Sequence, residues 1–155
     1  MPEGRIFELC VRRGWKLAVA ESCTGGLIGA RLTSVPGSSS YFLGGVIAYS
    51  NDLKKNLLNV PGELLDSYGA VSGPVAEAMA RGVIAAAGAH CGISVTGVAG
   101  PDGGTQEKPV GTVSVGIALP SGTISRQYNF TGNRDEVREQ AVKAAMELFL
   151  EKAHS

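Results

Sequence analysis

Apolar residues recur along the chain at two spacings, and each spacing predicts one kind of element. Apolar positions three or four residues apart, as at Ile6, Leu9 and Cys10, are typical of a helix with one buried face. Short apolar runs rich in β-branched or aromatic residues, set between turn signals, are typical of buried strands. For the first half of the chain these patterns predict, in order, helix 5–13, strand 16–20, helix 27–35 and strand 41–49.

The second half of the chain carries stronger signals at the helix ends. Ser72 is a good N-cap, Pro74 suits a first helical turn, and Gly88 suits the position after the last turn. Together they predict a helix over 74–88. The turn at 120–122 indicates a β-hairpin. The remaining predicted elements are helices 52–59, 61–69 and 134 onwards, and strands 91–97, 112–119 and 123–130.

The order of these elements predicts a single α/β domain over residues 1–155. Helices and strands alternate in the first half, which favours parallel strands with helices on both faces, and the hairpin adds antiparallel strands near the end. We therefore expect a three-layer α/β/α sandwich with a mostly parallel mixed sheet. Ligands of such sheets collect at the carboxyl ends of the strands. That edge gathers segments 21–26, 49–54 and 96–108.

Composition and charge narrow the possible partners. Hydrophobic residues make up 44% of the chain and charged ones 18%, and 14 basic residues balance 14 acidic ones. A neutral chain offers no bulk charge to attract nucleic acid or a membrane surface, so neither is expected as a partner. The apolar stretches are too short to span a membrane, and the amino terminus lacks the pattern of a secretory signal. A cytoplasmic location is the resulting expectation.

The reactive residue types exclude several chemistries. Of the two histidines, His90 precedes a strand at the end opposite the predicted cleft, and His154 is the penultimate residue. A Ser-His-Asp or Cys-His arrangement therefore has no well-placed imidazole. The three cysteines show no CxxC spacing and the chain has no HxxH or HExxH motif, so neither a disulfide framework nor a zinc site is expected.

Serine, lysine and tyrosine chemistry remains at the carboxyl edge. Ser22 lies where a strand is followed by a helix in "AESCTGG", and a lysine kept neutral by burial can accept the proton of such a serine. Of the six lysines, Lys54 lies one helical turn beyond the strand that ends in Tyr49. Both side chains can point at the same cleft, and the Tyr49 hydroxyl is expected to relay or orient the proton.

Each of these residues also has a purely structural interpretation. Ser22 can cap a helix, Lys54 can lie on a solvated helix face, and Tyr49 can fill the edge of the core. The pair Gly25–Gly26 can serve close helix packing or offer backbone N–H groups to an anion. The Gly- and Pro-rich loop 98–111 can be a long turn, although loops of this length are often functional. Composition and spacing leave these alternatives open.

Four long motifs follow one another along the chain: "AESCTGG", "PGSSSYFLGGVIAYSNDLK", "GAVSGPVAEAMA" and "SVTGVAGPDGGTQEKPVGTV". Together they resemble the carboxy-terminal domain of the competence/damage-inducible CinA proteins, and the resemblance spans about residues 5–150. Members of that family that stand alone are nicotinamide-nucleotide amidases (PncC-like). The resemblance implies deamidation of nicotinamide mononucleotide to nicotinic acid mononucleotide and ammonia, in pyridine nucleotide recycling. It implies no metal or organic cofactor, and it implies a homodimer.

The resemblance also implies roles for individual residues. The family's serine, lysine and tyrosine match Ser22 as nucleophile, Lys54 as base and Tyr49 beside them. Backbone N–H groups at the start of the following helix are the candidates for stabilising an oxyanion, namely those of Cys23, Thr24, Gly25 and Gly26. Candidates for the phosphate are Ser39, Gly97, Gly100, Asp102, Gly103, Lys108 and Arg134. Candidates for the ribose or the nicotinamide are Asn51 and Thr96.

Two rival hypotheses are compatible with the same motifs. In the first, Cys23 is the nucleophile, since a thiol is intrinsically more reactive and a helix N-terminus lowers its pKa. Ser22 is preferred because adjacent residues of an extended strand point in opposite directions. In the second, the chain is a non-catalytic nucleotide-binding regulatory module, which would have the same fold and loops. Lys54 discriminates against it, because a binding module does not need a lysine of low pKa beside a serine.

Overall fold

A five-stranded mixed sheet forms the middle layer of the protein in the computed structural model, which describes residues 1–154. In chain order the strands are β1 (Leu17–Glu21), β2 (Phe42–Ile47), β3 (Cys91–Gly97), β4 (Thr112–Leu119) and β5 (Gly122–Asn129). Across the sheet they stand in the order β2-β1-β3-β4-β5. β1 pairs in parallel with β2 and with β3, whereas β4 is antiparallel to β3 and to β5. All strands except β4 therefore run in one direction, which confirms the predicted mostly parallel mixed sheet.

Helices cover both faces of the sheet. They are α1 (Pro2–Arg13), α2 (Leu27–Thr33), α3 (Asn51–Leu58), α4 (Gly62–Tyr68), α5 (Gly73–Ala87) and α6 (Arg134–Ala153). Buried residues of α1, α2 and α6 pack in one apolar cluster, and those of α4 and α5 pack in another with Leu58 of α3. The predicted three-layer α/β/α arrangement is thereby confirmed.

The central strand β1 divides the core between the two layers. Leu17 and Val19 pack in the cluster of α1, α2 and α6, whereas Ala18 and Ala20 pack in the cluster of α5. This alternation follows from the strand geometry, in which successive side chains point to opposite faces. All five residues of β1 are buried. The residues that directly follow β1 therefore begin between two neighbouring strands and between two layers of helices.

Most predicted boundaries agree with the observed ones to within a few residues. α1 begins at Pro2 rather than at residue 5, because proline is tolerated in a first helical turn. β2 ends at Ile47 rather than at residue 49, and its residues are only partly buried because it is an edge strand. Within residues 1–154, no helix is long and apolar enough to cross a membrane.

Candidate active site

Ser22 lies directly beyond the carboxyl end of β1, and both neighbouring strands hold this end in place. The Ser22 N–H donates to the carbonyl oxygen of Val95 on β3, with an N···O distance of 3.0 Å. On the other side, the carbonyl oxygen of Glu21 accepts from Ala48 N–H at 2.8 Å, just past β2. Ser22 is therefore fixed at the edge of the sheet where a ligand of an open α/β sheet is expected.

Lys54 reaches the same point from α3. The hydroxyl of Ser50 caps this helix by accepting from Leu53 N–H at 3.1 Å, which sets Lys54 in the first turn. The Lys54 side chain is buried, and the residue is only 2% exposed. Its Nζ lies 3.1 Å from Ser22 Oγ and 3.2 Å from the carbonyl oxygen of Tyr49.

Burial changes the acid–base chemistry of this lysine. Desolvation lowers the pKa of Lys54 from its ordinary value near 10.5, because an apolar surrounding disfavours the charged form. Among residues 1–154, no carboxylate forms a salt bridge with its Nζ that would restore the charge. A neutral amine at hydrogen-bond distance from a hydroxyl can accept its proton. The structure thus brings together the two side chains that the sequence singled out as nucleophile and base.

The Tyr49 side chain lies elsewhere than expected. The residue is 62% exposed, and its hydroxyl accepts a hydrogen bond from Arg134 Nη2 at 3.1 Å. Its contact with Lys54 is made by the backbone carbonyl instead. Tyr49 lies in the short connection between β2 and α3, where its carbonyl accepts from Lys54 while its side chain stays at the surface. The expected proton relay through the hydroxyl is therefore corrected to a carbonyl that orients the amine.

Cys23, the residue after Ser22, is part of the apolar core. It is 5% exposed and packs among apolar side chains of the cluster that includes α6. Burial raises the pKa of the Cys23 thiol to about 11. A thiol with such a pKa is protonated near neutral pH and is a weak nucleophile. The geometry therefore favours Ser22 over Cys23, as the alternation of strand side chains indicated.

The carboxylate of Glu21 occupies the N-terminus of α2. Its Oε1 accepts from the N–H groups of Gly26 and Ile28, at 3.1 and 3.0 Å, and its Oε2 accepts from Gly29 N–H at 3.0 Å. Glu21 is buried, so this anion is an integral part of the helix start. The expectation that the pair Gly25–Gly26 opens a cradle for a substrate anion is corrected accordingly, because the helix already holds a negative charge.

Two backbone N–H groups beside Ser22 have no oxygen partner within residues 1–154. Gly25 N–H donates to the carbonyl oxygen of Ser22 at 3.1 Å, which closes a turn. The N–H groups of Cys23 and Thr24 donate to no carbonyl or carboxylate oxygen within the described part of the chain. The four expected oxyanion donors are thereby reduced to these two.

An arginine that the sequence did not single out ties α6 to this turn. Arg138 Nε donates to the carbonyl oxygen of Cys23 at 3.1 Å, and Nη2 donates to that of Thr24 at 3.2 Å. The first contact joins positions that are 115 residues apart, so no local motif contains both partners. One sequence signal could have pointed to Arg138: it lies four residues after Arg134, so both arginines are on one face of α6.

Arg134 connects the long loop to the mouth of the site. Its Nη1 donates to the carbonyl oxygen of Gly100 at 2.6 Å, while its Nη2 donates to the Tyr49 hydroxyl. The guanidinium thus bridges the loop 98–111 and the segment that leads to Lys54. Arg134, predicted as a binding residue, therefore contacts both Gly100, another predicted binding residue, and Tyr49, which was predicted as catalytic.

Other predicted binding residues of this edge lie around the bridge. Gly97 is the last residue of β3, and Asp102 and Gly103 are exposed in the loop that follows it. Asn51 is the exposed first residue of α3, one turn before Lys54. All of them lie at the carboxyl edge of the sheet, as expected.

Thr96 and Lys108 have protein partners of their own. The Thr96 hydroxyl donates to the carbonyl oxygen of Ala70 at 3.0 Å, and Lys108 Nζ donates to that of Tyr68 at 2.5 Å. Thr96 is buried, so its hydroxyl acts here within the protein. The Lys108 ammonium keeps further N–H donors for an anion, because an ammonium carries three.

Ser39 lies at the opposite end of the sheet from Ser22. It belongs to a short 3-10 helix, Ser38–Ser40, that precedes β2, and Lys16 Nζ donates to the Ser40 carbonyl oxygen at 2.6 Å just before β1. β1 and β2 are parallel, so this is the amino edge of both strands. We expected Ser39 to lie beside the other phosphate-binding candidates. Within one chain this expectation is wrong, because Ser39 lies at the amino edge of the sheet and the other candidates lie at the carboxyl edge, one strand length away.

Comparison with known proteins agrees with this arrangement. The family model of the CinA C-terminal domain matches residues 2–153. A CinA-like protein from Leptospira biflexa is 48% identical over 142 residues, which cover 91% of this chain and 34% of that protein. The chain spans about a third of the length of the curated relatives it matches.

Solved structures with the same fold are nearly the same size as this chain. The competence/damage inducible protein CihA from Agrobacterium tumefaciens is 36% identical, with a TM-score of 0.94 over 99% of this chain and 94% of its own. A CinA superfamily protein from Klebsiella pneumoniae is 35% identical, with a TM-score of 0.94 over 99% of this chain and 96% of its own. A family match over almost the whole chain and relatives at this identity lead to one conclusion: the chain belongs to the CinA C-terminal domain family.

Proposed function

We propose that the protein is a serine amidohydrolase that removes the amide of nicotinamide mononucleotide, giving nicotinic acid mononucleotide and ammonia. The observation that carries the proposal is the buried contact between Lys54 Nζ and Ser22 Oγ. A lysine of lowered pKa beside a serine has little structural use, because burying an amine without an ionic partner is unfavourable. It does suit a general base at neutral to alkaline pH. The resemblance of the motifs to nicotinamide-nucleotide amidases supplies the substrate.

In the first half-reaction Ser22 attacks the carboxamide. As Ser22 Oγ bonds to the amide carbon, its proton passes to the neutral amine of Lys54. The Tyr49 carbonyl, 3.2 Å from Nζ, keeps the amine oriented during this transfer. The resulting ammonium then protonates the leaving nitrogen, the C–N bond breaks, and ammonia departs. A nicotinoyl ester of Ser22 is left, with Lys54 neutral again.

Backbone groups stabilise the tetrahedral intermediate in this mechanism. The N–H groups of Cys23 and Thr24 adjoin the nucleophile and have no oxygen partner within residues 1–154. Donors of this kind interact with the negative oxygen more strongly than with the amide from which it forms. Removal of one such donor costs about 3 kcal/mol in other enzymes.

Water completes the cycle by the reverse relay. Lys54 takes a proton from water as the hydroxide oxygen bonds to the ester carbon, and then returns it to Ser22 Oγ as the ester bond breaks. The products are the original serine and the carboxylic acid of nicotinic acid mononucleotide, which then passes its proton to the released ammonia and leaves as the carboxylate. Each step conserves charge and requires no oxidant or reductant.

The phosphate of the substrate needs positive charge near the mouth of the site. Arg134 borders the loop 98–111 through the Gly100 carbonyl, and Lys108 lies within the loop and donates to the Tyr68 carbonyl. Both retain N–H donors that these bonds do not use. We assign the phosphate to this loop rather than to the start of α2, where Glu21 would repel it.

Incubation with nicotinamide mononucleotide tests the proposal. We expect the purified protein to release one ammonia for each nicotinic acid mononucleotide formed, measured by a coupled ammonia assay and by chromatography of the nucleotide. Nicotinamide riboside, which lacks the phosphate, is expected to react with a higher KM. Binding of the mononucleotide without ammonia release across neutral to alkaline pH would contradict the proposal and leave a non-catalytic binding module.

The pH dependence of the rate gives a second test. Because the base form of Lys54 is the reactive one, kcat/KM should rise with pH and level off below pH 10.5, the ordinary pKa of a lysine. The rising limb reports the lowered pKa of Lys54 in the free enzyme. Measurements between about pH 6 and pH 10 in buffers of constant ionic strength check this expectation. A rate that falls over the same range would exclude a neutral lysine as the base.

A further inference from the structure

The side chain of Arg138 holds two successive peptide groups of the turn after Ser22. Its Nε donates to the carbonyl oxygen of Cys23 at 3.1 Å and its Nη2 to that of Thr24 at 3.2 Å. The Thr24 carbonyl also accepts from Leu27 N–H at 3.1 Å, whereas Arg138 is the one donor to the Cys23 carbonyl within residues 1–154. The orientation of the Cys23–Thr24 peptide thus depends on this arginine.

Peptide geometry links this carbonyl to a neighbouring N–H. In a trans peptide the C=O and the N–H point in opposite directions. With the Cys23 carbonyl held on Arg138, the Thr24 N–H of the same peptide points away from α6. That N–H has no oxygen partner in the described chain. If the Cys23–Thr24 peptide rotated, the Thr24 N–H would point in another direction, although Ser22 itself would not move.

We propose that Arg138 is a positioning residue that orients and polarises the Thr24 N–H toward the oxyanion. The inference rests on the proposed amidohydrolase function. A cation on the carbonyl draws electron density through the peptide, which makes the N–H on the other side a stronger donor. Arg138 itself does not touch the reacting atoms.

The arrangement suits an arginine and not a lysine. A planar guanidinium with fixed N–H directions can bond two adjacent carbonyls at once, whereas an ammonium is a compact charge without such a fork. Gly25 follows these two peptide groups with a φ of 58°, a backbone conformation that favours glycine. α6 provides a firm base, because Asn133 and Glu136 form a capping box at its start. Val137 and Ala141 anchor the same helix in the core.

The test compares Arg138→Ala and Arg138→Lys with the wild-type protein. A donor that acts in the transition state changes kcat, whereas a donor that binds the ground state changes KM. We expect Arg138→Ala to lower kcat about 100-fold, by analogy with the loss of an oxyanion donor, with KM within about threefold. Arg138→Lys should fall between the two, and methylguanidine should restore part of the kcat of Arg138→Ala. Arg81→Ala is the matched control, since Arg81 is a half-exposed arginine paired with Glu77 on α5.

A second measurement does not depend on the nucleotide. A fluorophosphonate probe phosphonylates active serines through a transition state that also places negative charge on an oxygen. Its rate of attachment to Ser22, followed by mass spectrometry, should fall by a similar factor in Arg138→Ala and not in Arg81→Ala. Unfolding temperatures of all variants show whether a loss of rate reflects a loss of fold.

Each outcome decides one of the two proposals. Wild-type kcat and labelling in Arg138→Ala would overturn the positioning role. So would parallel losses of rate and unfolding temperature in both Arg138 variants without rescue by methylguanidine. Labelling of Ser22 without ammonia release would overturn the nucleotide substrate alone, and the labelling rates would still decide the role of Arg138. If the wild-type protein shows neither labelling of Ser22 nor ammonia release, both the amidohydrolase function and the positioning role of Arg138 are overturned.

Discussion

Replacement of Ser22 by alanine is expected to lower ammonia release on the order of 10⁴-fold or more, as the loss of a serine nucleophile does in other hydrolases. The expectation follows from the contact of Ser22 Oγ with Lys54 Nζ and from the fixed backbone at the end of β1. Binding of nicotinamide mononucleotide should persist, because Ser22→Ala removes only a hydroxyl. Steady-state turnover and equilibrium binding, measured on the same preparation, separate the two effects.

Cys23→Ala is the control variant, because it tests whether the neighbouring thiol is the nucleophile instead. The thiol is buried and protonated, and the alanine variant keeps the backbone N–H of residue 23. We expect this variant to retain most of the wild-type turnover, with a modest loss of stability from the emptied core position. Activity that survives Ser22→Ala and disappears in Cys23→Ala would reverse the assignment of the nucleophile.

Replacement of Lys54 by methionine should have the second largest effect. Without a base beside Ser22, kcat is expected to fall about 10³-fold, within the usual range for the loss of general acid–base catalysis. The pH-dependent limb of kcat/KM should vanish with it. Lys55→Met is the matched control, because Lys55 is the adjacent lysine, half-exposed and paired with Asp52. Equal losses in both variants would show that the effect is not specific to the buried amine.

Lys54→Met should also change how the stability of the protein depends on pH. The folded-state pKa of Lys54 is lowered, so between that pKa and 10.5 the unfolded chain binds more protons than the folded one. The contribution of Lys54 to the free energy of unfolding of the wild-type protein therefore rises with pH across this window, and it no longer changes with pH once the pH is below the folded-state pKa. Lys54→Met removes this dependence. Denaturant titrations of both proteins at several pH values check it.

The fold was largely predictable because its signals are local. Helix ends such as Ser72 with Gly88, and apolar runs such as 91–97, carry their own caps and turns, and the alternation of elements limits how they can be arranged. The end of β2 differs from the prediction by two residues, and β2 is a strand at the edge of the sheet whose residues are only partly buried. A sequence pattern does not contain that position.

The part of the candidate site that could be predicted consists of residues that follow the ends of parallel strands. Ser22 and Lys54 follow neighbouring parallel strands, so the rule about carboxyl edges brings them together. Glu21 was overlooked because it belongs to an apolar strand, and its carboxylate turns back on the helix that follows. Arg138 was overlooked because only the packing of α6 brings it to residue 23.

The hydrogen bonds from Arg138 also make the turn after Ser22 dependent on a distant helix. That turn follows β1, whereas the guanidinium that holds its peptide groups belongs to α6, and the contact joins positions 115 residues apart. Proteins open locally at free energies below that of global unfolding, and a contact between two elements is lost when either of them detaches. The Cys23 carbonyl is therefore held only while α6 is docked on the sheet, so a local opening of α6 would release this peptide group even with Ser22 still at the end of β1.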